Sequence, residues 1–309
     1  MRALFMGSAP LSCASLDVVL EQCEVVGVVS QPDRPRGRNR KVCAGAITAH
    51  ATGRVGTILT PERVNTPESL AAVAALQPDV IVVVAYGQIL HQPLLDLPAL
   101  GCINVHTSLL PKYRGAAPIQ WAIAHGETET GVTTMYMDAG MDTGDIILQE
   151  ALSIGPDETA AELHDRLAVT GAALLGKTLH GLASGDVPRH PQDSTVASMA
   201  PLLSKADGRI DWMRTAADIH NRVRGFNPWP GSSCGTAAGK RLKLWRVAPA
   251  AAVGEGVPGT VVAVEEGYPV IATGAGGIRL LEVQPEGGKV MDGRAYMRGH
   301  RLAPGDRLE

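Results

Sequence analysis

Asn104 and His106 stand two residues apart in the stretch GCINVHTSLLPKYRG, 101–115. In an extended chain successive side chains point to opposite sides, so Cys102, Asn104 and His106 share one face and Ile103 and Val105 the other. The stretch then breaks into a loop carrying Pro111, Arg114 and Gly115. An amide that donates hydrogen bonds suits a developing oxyanion, and an imidazole suits proton transfer near neutral pH. Taken singly, the Asn reads as a loop cap and the His as a side chain satisfied by backbone carbonyls. A third segment changes the balance: MDAGMDTGD, 137–145, offers Asp138, Asp142 and Asp145 on a tight turn that Gly140 and Gly144 permit. One of these carboxylates can orient His106 and stabilise its protonated form.

With no serine in an elbow beside these groups, the nucleophile belongs to the substrate. An amine attacking an activated acyl group fits, because it needs oxyanion stabilisation and a place for its proton. Cys102 is the internal rival, since it shares the face and would complete a Cys/His/Asp acyl-transfer site. It lies about 6–7 Å further back along the strand by the usual rise per residue, and reads as a buried, inert thiol.

The elements that must position these residues alternate along the first half of the chain. Strands are expected at 2–6, 25–30, near 57–59, 79–85 and 102–106, with helices near 12–22, 44–53 and 67–76. Strands apolar on both faces and separated by helices imply a parallel sheet covered on both sides, a doubly wound α/β domain. In such sheets sites form outside the carboxyl ends of the strands, where the strand order reverses. Residues 131–138 and 145–154 read as two further strands, and 157–184 as a long helix. Periodicity is lost over about 186–207, which reads as a linker. Beyond it, 209–226 is a helix candidate, NPWPG a rigid turn, and KRLKLWRV, GTVVAVEEG and YPVIATGAGGIRLLEVQP short strands at close spacing, as in a small barrel.

Composition bounds the function. A length of 309 residues suggests two domains, and a formal charge of −3 argues against indiscriminate coating of nucleic acid. Charge is uneven: 14 cationic residues stand against 20 acidic ones over 1–205, and 14 against 11 over 206–309. Five of the first 14 cations crowd into QPDRPRGRNRK, 31–41: Arg34, Arg36, Arg38, Arg40 and Lys41. Isolated charge runs are usually solvated loops, but this one has no acidic residue after Asp33 to neutralise it, so a phosphate-rich partner is an equal reading. Five cysteines without a CxxC pair indicate neither a disulfide framework nor a zinc ribbon and fit a reducing cytosol. MGSAPLSCAS lacks the glycines of a dinucleotide fingerprint, and neither HExxH nor a P-loop is present. The N-terminal MRALFMGSAPLSCASL has a signal-like look, but Gly7 and Pro10 interrupt its apolar run, so it is expected to be the first strand. The longest apolar run, VIVVVA, is far below the roughly 18 residues of a membrane span.

NVHTSLLPKYRGAAPIQWAI together with GVTTMYMDAGMDTGDI resembles the folate-dependent formyltransferases, and QPDRPRGRNRK, DW and RGFNPWPG extend the likeness over nearly the whole chain. The resemblance implies a Rossmann-like catalytic domain over 1–186, a linker over 187–207 and an OB-like, tRNA-binding barrel over 208–309. It implies a monomeric, cytoplasmic enzyme that uses 10-formyltetrahydrofolate and no metal to formylate the methionine α-amine of initiator methionyl-tRNA. By motif, Asn104, His106 and Asp142 take the catalytic places. Ser108, Leu109, Leu110 and Pro111 fall on the folate-contacting loop, and Tyr86, Gly87, Gln88 and Ile89 on a second wall of that site. Arg34, Arg36, Arg38, Arg40 and Lys41 match the loop that meets tRNA. Thr107 and residues 8–13 depart from the commoner pattern, which points to altered loop detail.

Three other readings compete. A nucleotide-sugar amine formyltransferase or a formyltetrahydrofolate hydrolase domain shares the SLLPxxRG loop, but the cations at 34–41 favour tRNA. A non-catalytic RNA-binding protein accounts for the basic segment and barrel and leaves Asn104, His106 and Asp142 idle.

Overall fold

The computed structural model describes residues 1–36, 41–251 and 256–309. In chain order the first elements are β1 (Arg2–Gly7), α1 (Ser12–Gln22), β2 (Glu24–Val29), the hairpin β3 and β4 (Arg34–Arg36, Lys41–Cys43), α2 (Ala46–Ala51) and β5 (Ile58–Leu59). They continue with α3 (Pro67–Ala75), β6 (Val80–Val84), α4 (Gln92–Leu95), β7 (Cys102–His106), α5 (Pro118–Ala124), β8 (Glu129–Tyr136), β9 (Ile146–Ser153) and α6 (Ala160–Ser184). Local chemistry sets the boundaries. Thr66 caps α3 by accepting from the Ser69 N–H at 3.3 Å, with Pro67 at the first helical position, where its missing N–H costs nothing.

Seven strands form one sheet in the order β5-β2-β1-β6-β7-β8-β9. The pairings β2·β5, β1·β2, β1·β6 and β6·β7 are parallel. β1 and β6 sit centrally, which explains why VIVVV is buried throughout. One face packs Leu4, Met6, Ile81, Val83 and Cys102 against Val73 and Leu94 from the covering helices. On the other face Gly171 of α6 comes so close that an added Cβ would lie 3.2 Å from Val105. The Rossmann-like reading thus holds, with one qualification: β8 runs antiparallel to β7, pairing Ile103 with Tyr136 and His106 with Thr133. Among the described residues no helix is long and apolar enough to cross a membrane.

The chain forms two compact units, the first comprising 1–115, 130–153 and 164–200, the second 116–129, 154–163 and 201–309. The second unit contains α7 (Ala216–Gly225), β10 (Ser232–Gly235), β11 (Arg241–Pro249), β12 (Val261–Glu265), β13 (Tyr268–Ala272), β14 (Gly277–Pro285), β15 (Met291–Asp292) and α8 (Gly293–His300). Its sheet is antiparallel, ordered β10-β11-β14-β13-β12 with β15 on β14, so the short strands expected after the linker form an antiparallel sheet. Its core gathers Leu242, Leu244, Leu280 and Val283 with Ile219 and Val223 from α7. The helix expected over 209–226 begins only at Ala216. Thr215 caps it by accepting from the Asp218 N–H, and Arg209 pairs instead with Ser233 in a β-bridge.

Candidate active site

β7 delivers Cys102, Asn104 and His106 to one face, but the carboxylate reaches them by an indirect route. Because β8 is antiparallel to β7, it ends beside the start of β7, where the Met137 N–H donates to the Cys102 carbonyl. The 137–145 turn must therefore double back over the face of β7. Gly144 makes that path possible, since a Cβ there would collide with the Tyr136 carbonyl. Asp138 holds the turn by accepting from the Gly140 N–H at 3.0 Å and the Thr143 hydroxyl at 2.7 Å. Asp142 takes a left-handed backbone at φ +54°, a region that Asp tolerates better than most residues.

Asp142 then lies between both groups of β7. Its Oδ1 is 3.4 Å from Asn104 Nδ2, and its Oδ2 is 3.7 Å from His106 Nδ1. The Gly115 N–H donates to the same Oδ2 at 2.8 Å. Of the three acidic candidates in the turn, Asp142 is thus the one brought to the amide and the imidazole. His106 is 6 % exposed, and its Nε2 lies 2.9 Å from the Tyr113 carbonyl oxygen. A carbonyl only accepts, so Nε2 carries a proton and Nδ1 is the nitrogen left to face Asp142 and a substrate. Tyr113 is itself held left-handed at φ +61°.

Cys102 does not join this group. Its thiol sits within 3.9 Å of the Leu94 and Leu95 carbonyls, away from solvent, and burial, with the charge of Asp96 adding to it, pushes it up to about 12. A thiolate is the nucleophilic form, so the acyl-cysteine route loses its reagent.

The loop after β7 is tied down from several sides. The Ser108 hydroxyl donates to the Lys112 carbonyl at 2.6 Å, and the Ser108 carbonyl accepts from the Thr133 hydroxyl at 2.7 Å. The Leu110 N–H donates to Thr133 Oγ1 and the Leu110 carbonyl accepts from Gln149. Leu109 and Pro111 are half-buried between them. The loop leaving β6 starts beside Asn104, the register partner of Val83, and alternates. Tyr86 turns into the core, and Gln88 caps the 61–64 stretch by accepting from the Val64 N–H at 2.8 Å. Gly87 and Ile89 face outward, Ile89 at 70 % exposure.

Residues 9–179 match the formyl transferase family and residues 202–301 the C-terminal domain of that family. The chain belongs to the formyl transferase family. The methionyl-tRNA formyltransferases of Geobacter sulfurreducens and Geobacter metallireducens are each 47 % identical to it, over 100 % and 99 % of this chain and 96 % and 97 % of theirs. Among solved structures, the sugar 3N-formyl transferase WlaRD, determined in the presence of dTDP and 5-N-formyl-THF, shares the fold with a TM-score of 0.68. Its identity is 20 %, over 92 % of this chain and 97 % of that one.

In this formyltransferase the basic segment differs from the loop expected of it: Arg34–Arg36 and Lys41–Cys43 pair as a two-stranded antiparallel hairpin. Arg38 and Arg40 lie outside the described residues. Four further groups at this candidate site stand outside the residues that the sequence singles out. The Tyr113 carbonyl and the Gly115 N–H are backbone groups without a residue-type signature. Arg114, 6 % exposed, and Gln192 lie behind the turn. Arg114 carried a usable signal, an arginine inside an otherwise compact Pro- and Gly-containing loop. Gln192 sits in aperiodic sequence and carried none.

Proposed function

We propose that this formyltransferase moves the formyl group of 10-formyltetrahydrofolate to the α-amine of methionine on initiator methionyl-tRNA, as a monomer in the cytoplasm, with Asn104, His106 and Asp142 as its catalytic groups. The observation carrying the reading is the meeting of these three side chains around one point, with Nε2 of His106 already committed to Tyr113. Supporting the tRNA substrate is identity: relatives of that name match at 47 % from end to end, while the sugar-directed enzyme stands at 20 %. The relatives' function in translation favours the cytoplasm.

A folate fits the surroundings. Ile89 and Met141, 70 % and 55 % exposed, present apolar surface on the two loops that border Asn104, suited to covering a flat heterocycle. The SLLP loop forms a firm wall because its own polar groups are internally satisfied. The folate supplies a formyl carbonyl activated by its nitrogen.

The chain's residues do the rest. The Asn104 Nδ2–H and the Nδ1–H of protonated His106 are the donors available to the developing oxyanion, since Nε2–H is spent on Tyr113. Asp142, 3.7 Å from His106 Nδ1, takes the proton released by the attacking amine, directly or through one water, and that proton goes to the folate nitrogen as its bond to the formyl carbon breaks and the oxyanion collapses to the new amide. Free α-amines titrate at about 7.7–8.0, so no strong base is required.

The test is formyl transfer from 10-formyltetrahydrofolate to charged initiator tRNA, with charged elongator tRNA and an amino sugar nucleotide as controls. Rapid transfer only to initiator tRNA is expected. Preference for the sugar would overturn the substrate assignment.

A further inference from the structure

The stretch after α6 lacks helix or strand periodicity, yet it is bonded into the back of the active site. The Ile146 N–H donates to the His190 carbonyl at 2.9 Å and the His190 N–H to the Ile146 carbonyl at 3.0 Å. Arg114 N–H donates to the Ser198 carbonyl, and the Ala200 N–H to the Arg114 carbonyl. Between these anchors lies Gln192. Its Nε2 donates to the Asp142 carbonyl at 2.9 Å and to the Gly144 carbonyl at 2.8 Å. Its Oε1 accepts from Arg114 Nε at 3.1 Å and from a terminal guanidinium nitrogen at 2.7 Å.

The orientation of this amide is chemically determined. Arginine only donates and carbonyls only accept, so the oxygen must face Arg114 and the NH2 the turn. Both N–H bonds and both oxygen lone pairs are then used. Among the described residues no carboxylate pairs with the buried Arg114 guanidinium; its partners are Gln192 Oε1 and, at 3.5 Å, the Ser194 hydroxyl. Asp142, in turn, holds an uncommon left-handed backbone, a conformation that persists where the surroundings enforce it. Two carbonyls of that very turn, flanking Thr143, are gripped by one side chain.

We propose that Gln192 is a positioning residue for Asp142: turned by Arg114, its carboxamide holds the Asp142 and Gly144 carbonyls and so keeps the Asp142 carboxylate against Asn104, His106 and the Gly115 N–H. The inference rests on the reading of Asp142 as a catalytic group. Glutamine is required by this geometry because one group must accept from a cation on one side and donate twice on the other. Glutamate accepts as well or better and cannot donate. Methionine does neither.

Gln192→Glu therefore separates the two halves of the role. The carboxylate pairs with Arg114 and keeps the 190–200 stretch in place, while the Asp142 and Gly144 carbonyls lose their donors. Turnover is expected to fall about 10- to 100-fold, the scale of a displacement of order 1 Å in a catalytic group, with KM for folate and tRNA little changed. In an Asp142→Asn background the same substitution should cost little more, because groups acting as a unit are not additive.

Amide hydrogen exchange supplies a readout independent of turnover. In Gln192→Glu the Gly115 amide, which donates to Asp142, should exchange about tenfold faster or more, while the Arg114 amide, which donates to Ser198, keeps its protection. Faster exchange at both amides would mean that Gln192 merely fastens the 190–200 stretch, and multiplicative losses in the double variant would say the same; either overturns the proposal. Undiminished turnover in Gln192→Glu with Gly115 still protected also overturns it. If Asp142→Asn alone turns over normally, the catalytic reading of Asp142 fails instead, a distinct result.

Discussion

At the scale of single residues, the site is a set of donors and acceptors whose assignments follow from what each atom is able to do. Asn104 offers N–H donors at a half-buried position on the site face. Replacing it with Ala should lower single-turnover formyl transfer by about 10²–10³, the usual cost of losing a principal oxyanion donor; near-normal rates would remove the role. Cys102→Ala should leave turnover within about twofold, because a thiol pushed up to about 12 is scarcely ionised at pH 8. Trapping of a formyl-cysteine on the wild-type protein would refute that. Asn104 and His106 were legible in the sequence because a period of two is a property of any extended chain. The groups that complete them were not: the Tyr113 carbonyl, which fixes the imidazole tautomer, belongs to the backbone, and Gln192 approaches from a segment 50 residues beyond Asp142.

At the scale of elements, the parallel core was readable from apolar strands alternating with helices, and its strands appear within a residue or two of their expected ends. The antiparallel turn of β8 was not, because a strand's direction leaves no mark in its own composition. Helix ends were partly readable from capping chemistry. Ahead of α6, the Thr159 N–H and hydroxyl both donate to Glu162 Oε2 at 2.8 Å, while the Glu162 N–H donates to Thr159 Oγ1, a reciprocal cap. The Thr159 backbone N–H, then its hydroxyl, hold the Glu162 carboxyl below its ordinary value against a small opposing effect of burial, with Arg246 contributing at 3.3 Å. A carboxyl lowered in the folded state stabilises above its unfolded value of about 4.3 and loses that contribution as pH falls through the lowered one. Glu162 is about half exposed, so solvent screening keeps the effect small. Glu162→Gln should lower the melting temperature by about 1–2 °C at pH 7, and the gap to wild type should close toward pH 3. A gap that persists at pH 3 would show the cap does not depend on the charge.

At the scale of the whole molecule, the distribution of charge speaks to the partner. Residues 34–41 carry five cations in a chain whose formal charge is −3, so attraction for a polyanion is concentrated there. Arg38→Ala with Arg40→Ala should raise KM for tRNA and flatten the slope of its logarithm against the logarithm of salt concentration by about 1.4, at about 0.7 per lost phosphate contact. KM for folate should not move. An equal rise in both constants would contradict a separate tRNA-facing role for the basic segment 34–41. The change in texture near residue 186 falls just past the end of α6 at Ser184, whereas the two compact units interleave along the chain. What sequence texture does not convey is the work done by the aperiodic stretch itself, since Gln192, Ser198 and Ala200 act through hydrogen bonds that need no periodicity.

That stretch has a bearing on how the polypeptide can be divided. Gln192 and Ser198 grip opposite aspects of the same arginine, one its guanidinium and the other its main chain, so the spacing between them is a fixed length. A protease nick, a circular permutation or a spacer inserted there would disconnect the carboxylate's support while leaving every core strand intact. A split version of the protein that keeps its activity is expected to break outside that stretch, for instance after Ala200, where the last segment of the first compact unit ends.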